Sequence, residues 1–328
     1  MTAAPTVAQV EAARAQLGSR IVATPTLELN SSRFDGWLPE GATVFMKMEL
    51  FQQTGSFKAR GATLAVDALT DEERSRGVTA VSAGNHALAV SWAAQQAGIS
   101  AKVVMPETAD AIRVAGCKAL GAEVVLVANV EEAFKEVAHL RDDEGRAYLH
   151  PFESPFMTLG AATVGHELAL AAGSLDAAVV PIGGGGLISG MAPAIKALNP
   201  DCVIYGVEPE GADSMARSFT SGEPVTLEKV TTIADSLGAP MAMPDSYALT
   251  RDHVAEIIRL PDSAFPPAME ALYHALKIVA EPACAATLAA VAGPLKERLA
   301  GKRVGIIACG SNISRAKFDR LVSSRTDE

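Results

Sequence analysis

Short runs of apolar, largely β-branched residues alternate along the chain with longer alanine-rich stretches. The runs cover 44–48, 78–81, 102–105, 124–127, 177–180, 203–207 and 303–308. They are near-continuously apolar, the pattern of strands buried on both faces. Between them the sequence predicts helices over 87–97, 109–120, 131–143, 161–172, 187–198 and 264–279. Strands alternating with helices in this way predict an α/β fold of open, twisted parallel sheets. The first twenty residues, MTAAPTVAQVEAARAQLGSR, alternate small apolar with polar positions and suit an amphipathic surface helix.

Several strand ends run directly into polar, glycine-rich turns that open a helix: SAGNH at 82–86, GGGG at 183–186 and CGSN at 309–312. Ligands of open α/β sheets bind beyond the carboxyl ends of the strands, in such turns. Three of them in one chain predict a single converging site. The tetraglycine lets the backbone approach an anion while helix N-terminal N–H groups point at it. The alternative is a tight turn needing positive φ, which rarely needs four glycines in a row. A dinucleotide site is the rival reading, because Glu208 ends the next strand about twenty residues on. The G-x-G-x-x-G frame, however, lands on Ile188 or Ser189, or breaks. A nicotinamide-dependent dehydrogenase is therefore the weaker alternative.

The turn Ser82–His86 offers backbone donors and short polar side chains able to grip a carboxylate, or Ser82 or Asn85 simply caps a helix. His86 suits a buried, hydrogen-bonded position better than a catalytic base. In TGSFKARGA, residues 54–62, Lys58 stands at a helix start, where the dipole disfavours its charged form. Burial would lower its pKa further, favouring an imine-forming nucleophile that then shuttles protons. No metal-ligand cluster or Ser/His/Asp order is evident. A carbonyl cofactor carrying a phosphate, pyridoxal phosphate, is the economical expectation.

The totals narrow the classes. The 328 residues allow two domains, divided here as 51–150 for a small substrate-gripping unit and 1–50 with 151–328 for a large cofactor-binding unit, with the active site between them. A net charge of −10, from 28 basic and 38 acidic residues, argues against nucleic acid or an anionic membrane as partner. No run reaches the roughly 18 apolar residues of a membrane span, and no secretory signal is apparent. Cys117, Cys202, Cys284 and Cys309 are scattered without a C-x-x-C pair, which suits reduced thiols in the cytoplasm and offers no zinc site.

The ordered set TGSFKARGA, SAGNHA, VMPETA, LGAEVVL, GGGGLISG, GVEPEGADSM, TIADSL, EPACAA and CGSN resembles the fold-type II pyridoxal-phosphate enzymes. These are tryptophan synthase β-like, and the likeness is to their serine/threonine dehydratase branch, which includes serine racemases. It covers about residues 21–312. It implies that Lys58 holds the cofactor covalently with Phe57 beside the ring. Asn85 would bond the ring's 3-hydroxyl, and Gly183, Gly184, Gly185, Gly186 and Leu187 would bind its phosphate. Ser82, Ala83, Gly84, Asn85 and His86 would hold the substrate carboxylate. Cys309 would face the pyridine nitrogen, where a thiol cannot protonate it as an aspartate would. The weaker electron sink favours β-elimination over transamination.

Four departures shape the expected activity. Ala83 stands where serine racemases carry the serine acid/base, so two-base racemisation should be lost. Gly160-Ala161-Ala162 replaces the more usual Gly-Gln-Gly, in a loop expected beside the substrate side chain. That change would make room for a larger or less polar β-substituent. Ser214 replaces an aspartate in a cation-binding segment, leaving Glu208 and the Ala212 carbonyl to hold a divalent or monovalent ion. His166 is expected on a helix surface. The resemblance implies an ammonia-lyase that converts an L-β-hydroxy amino acid to a 2-oxo acid and ammonia. Racemisation or β-replacement is the alternative. A homodimer is the family habit.

Overall fold

In a computed structural model, which describes residues 3–323, ten strands form two sheets. They are β1 Thr26–Glu28, β2 Thr43–Lys47, β3 Val78–Val81, β4 Ala101–Pro106, β5 Glu123–Val127, β6 Ala147–Tyr148, β7 Ala177–Pro181, β8 Val203–Pro209, β9 Glu256–Leu260 and β10 Arg303–Ile307. The larger sheet runs β1-β2-β10-β7-β8-β9 and the smaller runs β5-β4-β3-β6. All pairings are parallel except β1 against β2. The fold is thus α/β with two open parallel sheets, and one antiparallel edge strand that the sequence reading did not include.

The early helices are α1 Val7–Leu17, α2 Lys58–Asp67, α3 Asp71–Arg76, α4 Asn85–Ala97, α5 Ala111–Ala119 and α6 Val130–Asp142. The later ones are α7 Pro155–Ala172, α8 Ile188–Leu198, α9 Ser214–Ser221, α10 Pro244–His253, α11 Phe265–Leu276, α12 Pro282–Ala292 and α13 Arg315–Ser323. One apolar cluster fills the larger sheet. The smaller sheet has two: α2, α4 and α5 contribute to one, and Ala133, Val137 and Leu140 of α6 join Val81 and Val104 in the other. No helix among the described residues is long and apolar enough to cross a membrane.

The three helices α2, α7 and α8 pack side by side and join the two halves. They can do so because their contact faces are made of small residues. A Cβ added to Gly160 would stand 2.4 Å from the Gly61 nitrogen, and one on Gly190 would stand 2.2 Å from the Thr158 carbonyl oxygen. This corrects the expectation for residues 160–162. They lie inside α7, buried against its neighbours, and do not line the site cavity described below. Helix α7 begins at Pro155, well before the predicted 161, because proline is welcome in a first helical turn.

Charge also fixes the start of α2. Arg60 is fully buried and its guanidinium meets Glu49 and Glu167, each by two hydrogen bonds of 2.8 Å. Lys47 Nζ lies 2.7 Å from Glu167. Burial opposes the charge on Arg60, but the two carboxylates outweigh it and raise its pKa. Such a network is costly to break, because removing one partner strands a buried charge. His166 sits beside it on α7, with only 2% of its surface accessible and its Nδ1 3.4 Å from Arg14 Nη1. Its expected surface position is wrong. Helix α7 is covered by α1 on that side.

Candidate active site

A cavity of about 570 Å³ lies where the carboxyl ends of β3, β7 and β10 face one another. The three polar turns singled out in the sequence all reach it: residues 82–86, residues 183–187 and Cys309 line its wall together with Phe57 and Lys58. The convergence follows from topology, since parallel strands deliver their outgoing turns to one edge.

Lys58 is the first residue of α2. Its amine reaches the cavity, donates to the Pro151 carbonyl and lies 5.1 Å above the centre of the Phe57 ring. No carboxylate pairs with it among the described residues. Burial lowers its pKa to about 8, against a small opposing pull from Cys309. A substantial fraction of this amine is therefore neutral at physiological pH, as attack on a carbonyl requires.

The backbone N–H groups of Gly183–Leu187 donate to no backbone carbonyl among the described residues. They form the approach to α8 and so make an anion site. Side chains have no room here. A Cβ on Gly184 would lie 2.4 Å from the Phe152 ring, and Gly185 has φ +91°, which favours glycine. An uncapped glycine cradle and a buried lysine of lowered pKa in one cavity fit a carbonyl cofactor with a phosphate tail. Cys309 is buried, and burial, with Cys284 and Glu281 nearby, pushes its thiol well above the usual range. It faces the cavity as a neutral S–H.

In the turn after β3, Gly84 precedes α4 without any side-chain cap. The Ser82 hydroxyl instead accepts from the Gly84 N–H at 3.1 Å, and Asn85 is occupied elsewhere. Asn85 Nδ2 donates to Glu281 Oε1 at 2.7 Å, and its Oδ1 accepts from Asn312 Nδ2 at 2.6 Å. His86 is buried and its Nε2 meets the Leu149 carbonyl at 2.7 Å. Burial, then the Lys58 charge, lowers its pKa to about 3, so it stays neutral.

Several cavity residues had no role assigned from sequence. Arg113 of α5 is 3% exposed and bonds the Asn312 carbonyl at 2.9 Å and Asp235 at 2.8 Å, with Glu281 at 3.4 Å. Burial raises the pKa of Glu281, while Arg113 opposes the shift. The TIADSL, EPACAA and CGSN strings contain Asp235, Glu281 and Asn312, so the signal was present without a geometry to interpret it. His150 Nδ1 accepts from the N–H groups of Phe152 and Glu153 at 3.2 and 2.8 Å, which leaves the ring hydrogen on Nε2. Burial, with Lys58 adding to it, lowers its pKa to about 4.

Glu208, Ala212 and Ser214 lie outside the cavity wall. Both Glu208 oxygens accept backbone N–H groups at the start of α9, from Met215 at 2.9 Å and Ala216 at 2.8 Å. Burial lifts its pKa to about 8 despite those bonds. The neighbouring Asp213 is held by Arg217 and Arg259. No group of three potential metal-ligating side chains occurs among the described residues. In this structure Glu208 serves as a helix cap.

Residues 20–310 match the family model described as pyridoxal-phosphate dependent enzyme. The chain is 47% identical over 319 residues to phenylserine dehydratase of Ralstonia pickettii, covering 97% of each. It is 38% identical over 289 residues to L-threo-3-hydroxyaspartate ammonia-lyase of Saccharomyces cerevisiae, covering 88% of each. Among solved structures it resembles maize serine racemase, with a TM-score of 0.89, 34% identity and 98% of both chains covered. The lysine, the glycine cradle and these likenesses agree, and the chain belongs to the pyridoxal-phosphate dependent enzyme family.

Proposed function

We propose that this protein dehydrates and deaminates an L-β-hydroxy amino acid, releasing a 2-oxo acid and ammonia. The observation that carries the reading is the buried amine of Lys58, its pKa lowered to about 8, in a cavity shared with the glycine cradle and the Ser82–His86 turn. The names of the similar lyases support it, since both act on β-hydroxy amino acids by their printed descriptions. When bound, the cofactor supplies the carbonyl that captures the substrate amine and the conjugation that acidifies its α-carbon.

The chain's own residues divide the remaining work. Gly183–Leu187 hold the phosphate, and Asn85, steadied by Glu281 and Asn312, faces the ring. Ser82 and the backbone of residues 83–86 orient the substrate carboxylate. Lys58 Nζ takes the proton from Cα, a positioned transfer worth roughly 100- to 10,000-fold. The neutral Cys309 thiol would offer a bound ring's nitrogen no strong acid, a setting that would favour loss of the β-hydroxyl as water. Racemisation is the lesser reading, because Ala83 offers no proton on the other side of the substrate.

The finer expectations belong here as well. Buried free cysteines support a reducing, cytoplasmic setting. A homodimer is supported by a hollow of about 740 Å³ that Lys58 does not line and whose lining includes the exposed apolar side chains Phe51, Tyr273 and Val279. The test of function is 2-oxo acid release from a panel of L-β-hydroxy amino acids. Turnover with chiral inversion and no oxo acid would overturn the lyase reading.

A further inference from the structure

The relatives' names leave the β-substituent open between an aryl group and a carboxylate. The cavity itself discriminates. A carboxylate is held best by a buried, uncommitted cation, and the buried candidates are already engaged or neutral. Arg113 spends its guanidinium on Asn312, Asp235 and Glu281. Arg141, at the exposed end of α6, forks onto Asp142 through two bonds of 2.7 and 2.9 Å, a surface pair that holds it only weakly. His150 is held neutral, and Lys58 is the amine of the cofactor site.

One wall is largely apolar, with Arg141 at its far end. Ala133, Phe134, Val137 and Ala138 recur at helical spacing on α6 and line the cavity with Tyr148 and Met241. The charged side chains of that helix pair elsewhere: Lys135 with Glu131 and Glu132, and His139 with Asp143. Ala133 and Val137 are buried against β3 and β4, which fixes the helix in place. Phe134, by contrast, is 41% exposed although it borders the cavity. A phenyl ring left open at the mouth of an apolar cavity is covered best by another ring. A methyl or hydrogen at Cβ would leave this wall bare.

We infer that the α6 wall, with Tyr148 and Met241, is the subsite for a β-aryl ring, and that the preferred substrate is an arylserine. The inference rests on the lyase reading above and names its substrate class. It also moves the specificity determinant from residues 160–162 to α6.

The test compares kcat/KM of the purified holoenzyme for L-phenylserine, L-threonine and L-threo-3-hydroxyaspartate. A binding measurement runs beside it, in which L-phenylalanine and L-alanine, which lack the leaving hydroxyl, are titrated against the cofactor's visible spectrum. Phenylserine should exceed threonine by ~100-fold, the scale of discrimination by an apolar pocket. Phenylalanine should bind more tightly than alanine. Ala138→Arg and Phe134→Ala, each checked for an unchanged melting profile, should both lower the phenylserine-to-threonine ratio, by about tenfold or more. Ala138→Arg should also raise the hydroxyaspartate-to-phenylserine ratio. Threonine equal to or better than phenylserine, or ratios unmoved in both variants, would overturn the subsite. If no substrate yields 2-oxo acid, the lyase reading fails, and the phenylalanine-to-alanine comparison still decides the subsite.

Discussion

Lys58 concentrates the chemistry because its setting removes what usually keeps a lysine charged. It has no carboxylate partner among the described residues, and enclosure lowers its pKa to about 8. The sign of the consequence follows. Below that pH the amine is mostly protonated and cannot attack a carbonyl. In cofactor-stripped protein, covalent capture of pyridoxal phosphate should rise about tenfold per pH unit on the acid side and flatten above about pH 8. Stopped-flow absorbance checks this, and Lys58→Ala should show no covalent capture at any pH. Ala83 sets the direction of the chemistry. Ala83→Ser should add α-carbon inversion of the substrate, measured by chiral chromatography, where the unaltered protein shows oxo acid release alone. Lys58 was legible because TGSFKARGA sets a lysine at a helix start, and Ala83 only through the resemblance, which places it where serine racemases carry a serine. Arg113, Glu281 and Asn312 were not legible as a unit. They come from α5, the start of α12 and the segment after β10, and only the folded chain brings them to Asn85.

At the scale of elements, apolar periodicity found most of the inner strands and several long helices, but not α12, whose residues are buried nearly throughout and so show no polar face. The edge strand β9 escaped, since its residues alternate between exposed and buried and carry two charges, Glu256 and Arg259. Residues 160–162 show the reverse failure. Their small side chains suggested an enlarged substrate pocket, whereas they serve the close approach of α2, α7 and α8. Sequence cannot separate the two, because a missing side chain looks alike in a cavity and in a helix contact. Gly190→Val should therefore destabilise the fold by about 1–3 kcal/mol through overpacking, read as a lower urea midpoint. Arg60→Met should cost about 3–5 kcal/mol, because it leaves Glu49 and Glu167 without their shared buried partner. Both losses should appear in unfolding curves before any change in substrate preference.

On the scale of the whole molecule, the site exists because two parallel sheets present their carboxyl edges to each other across one cavity. Arg113 ties the two sides together, reaching from α5 beside the smaller sheet to Asp235, Glu281 and the Asn312 carbonyl beside the larger. The claim on which everything else depends is that Lys58 carries the pyridoxal phosphate. Borohydride reduction of the holoenzyme followed by peptide mass mapping tests it most directly. The account predicts a single reduced pyridoxyl adduct on the peptide containing Lys58. An adduct confined to a different lysine, or none on a protein that has taken up the cofactor, would contradict it.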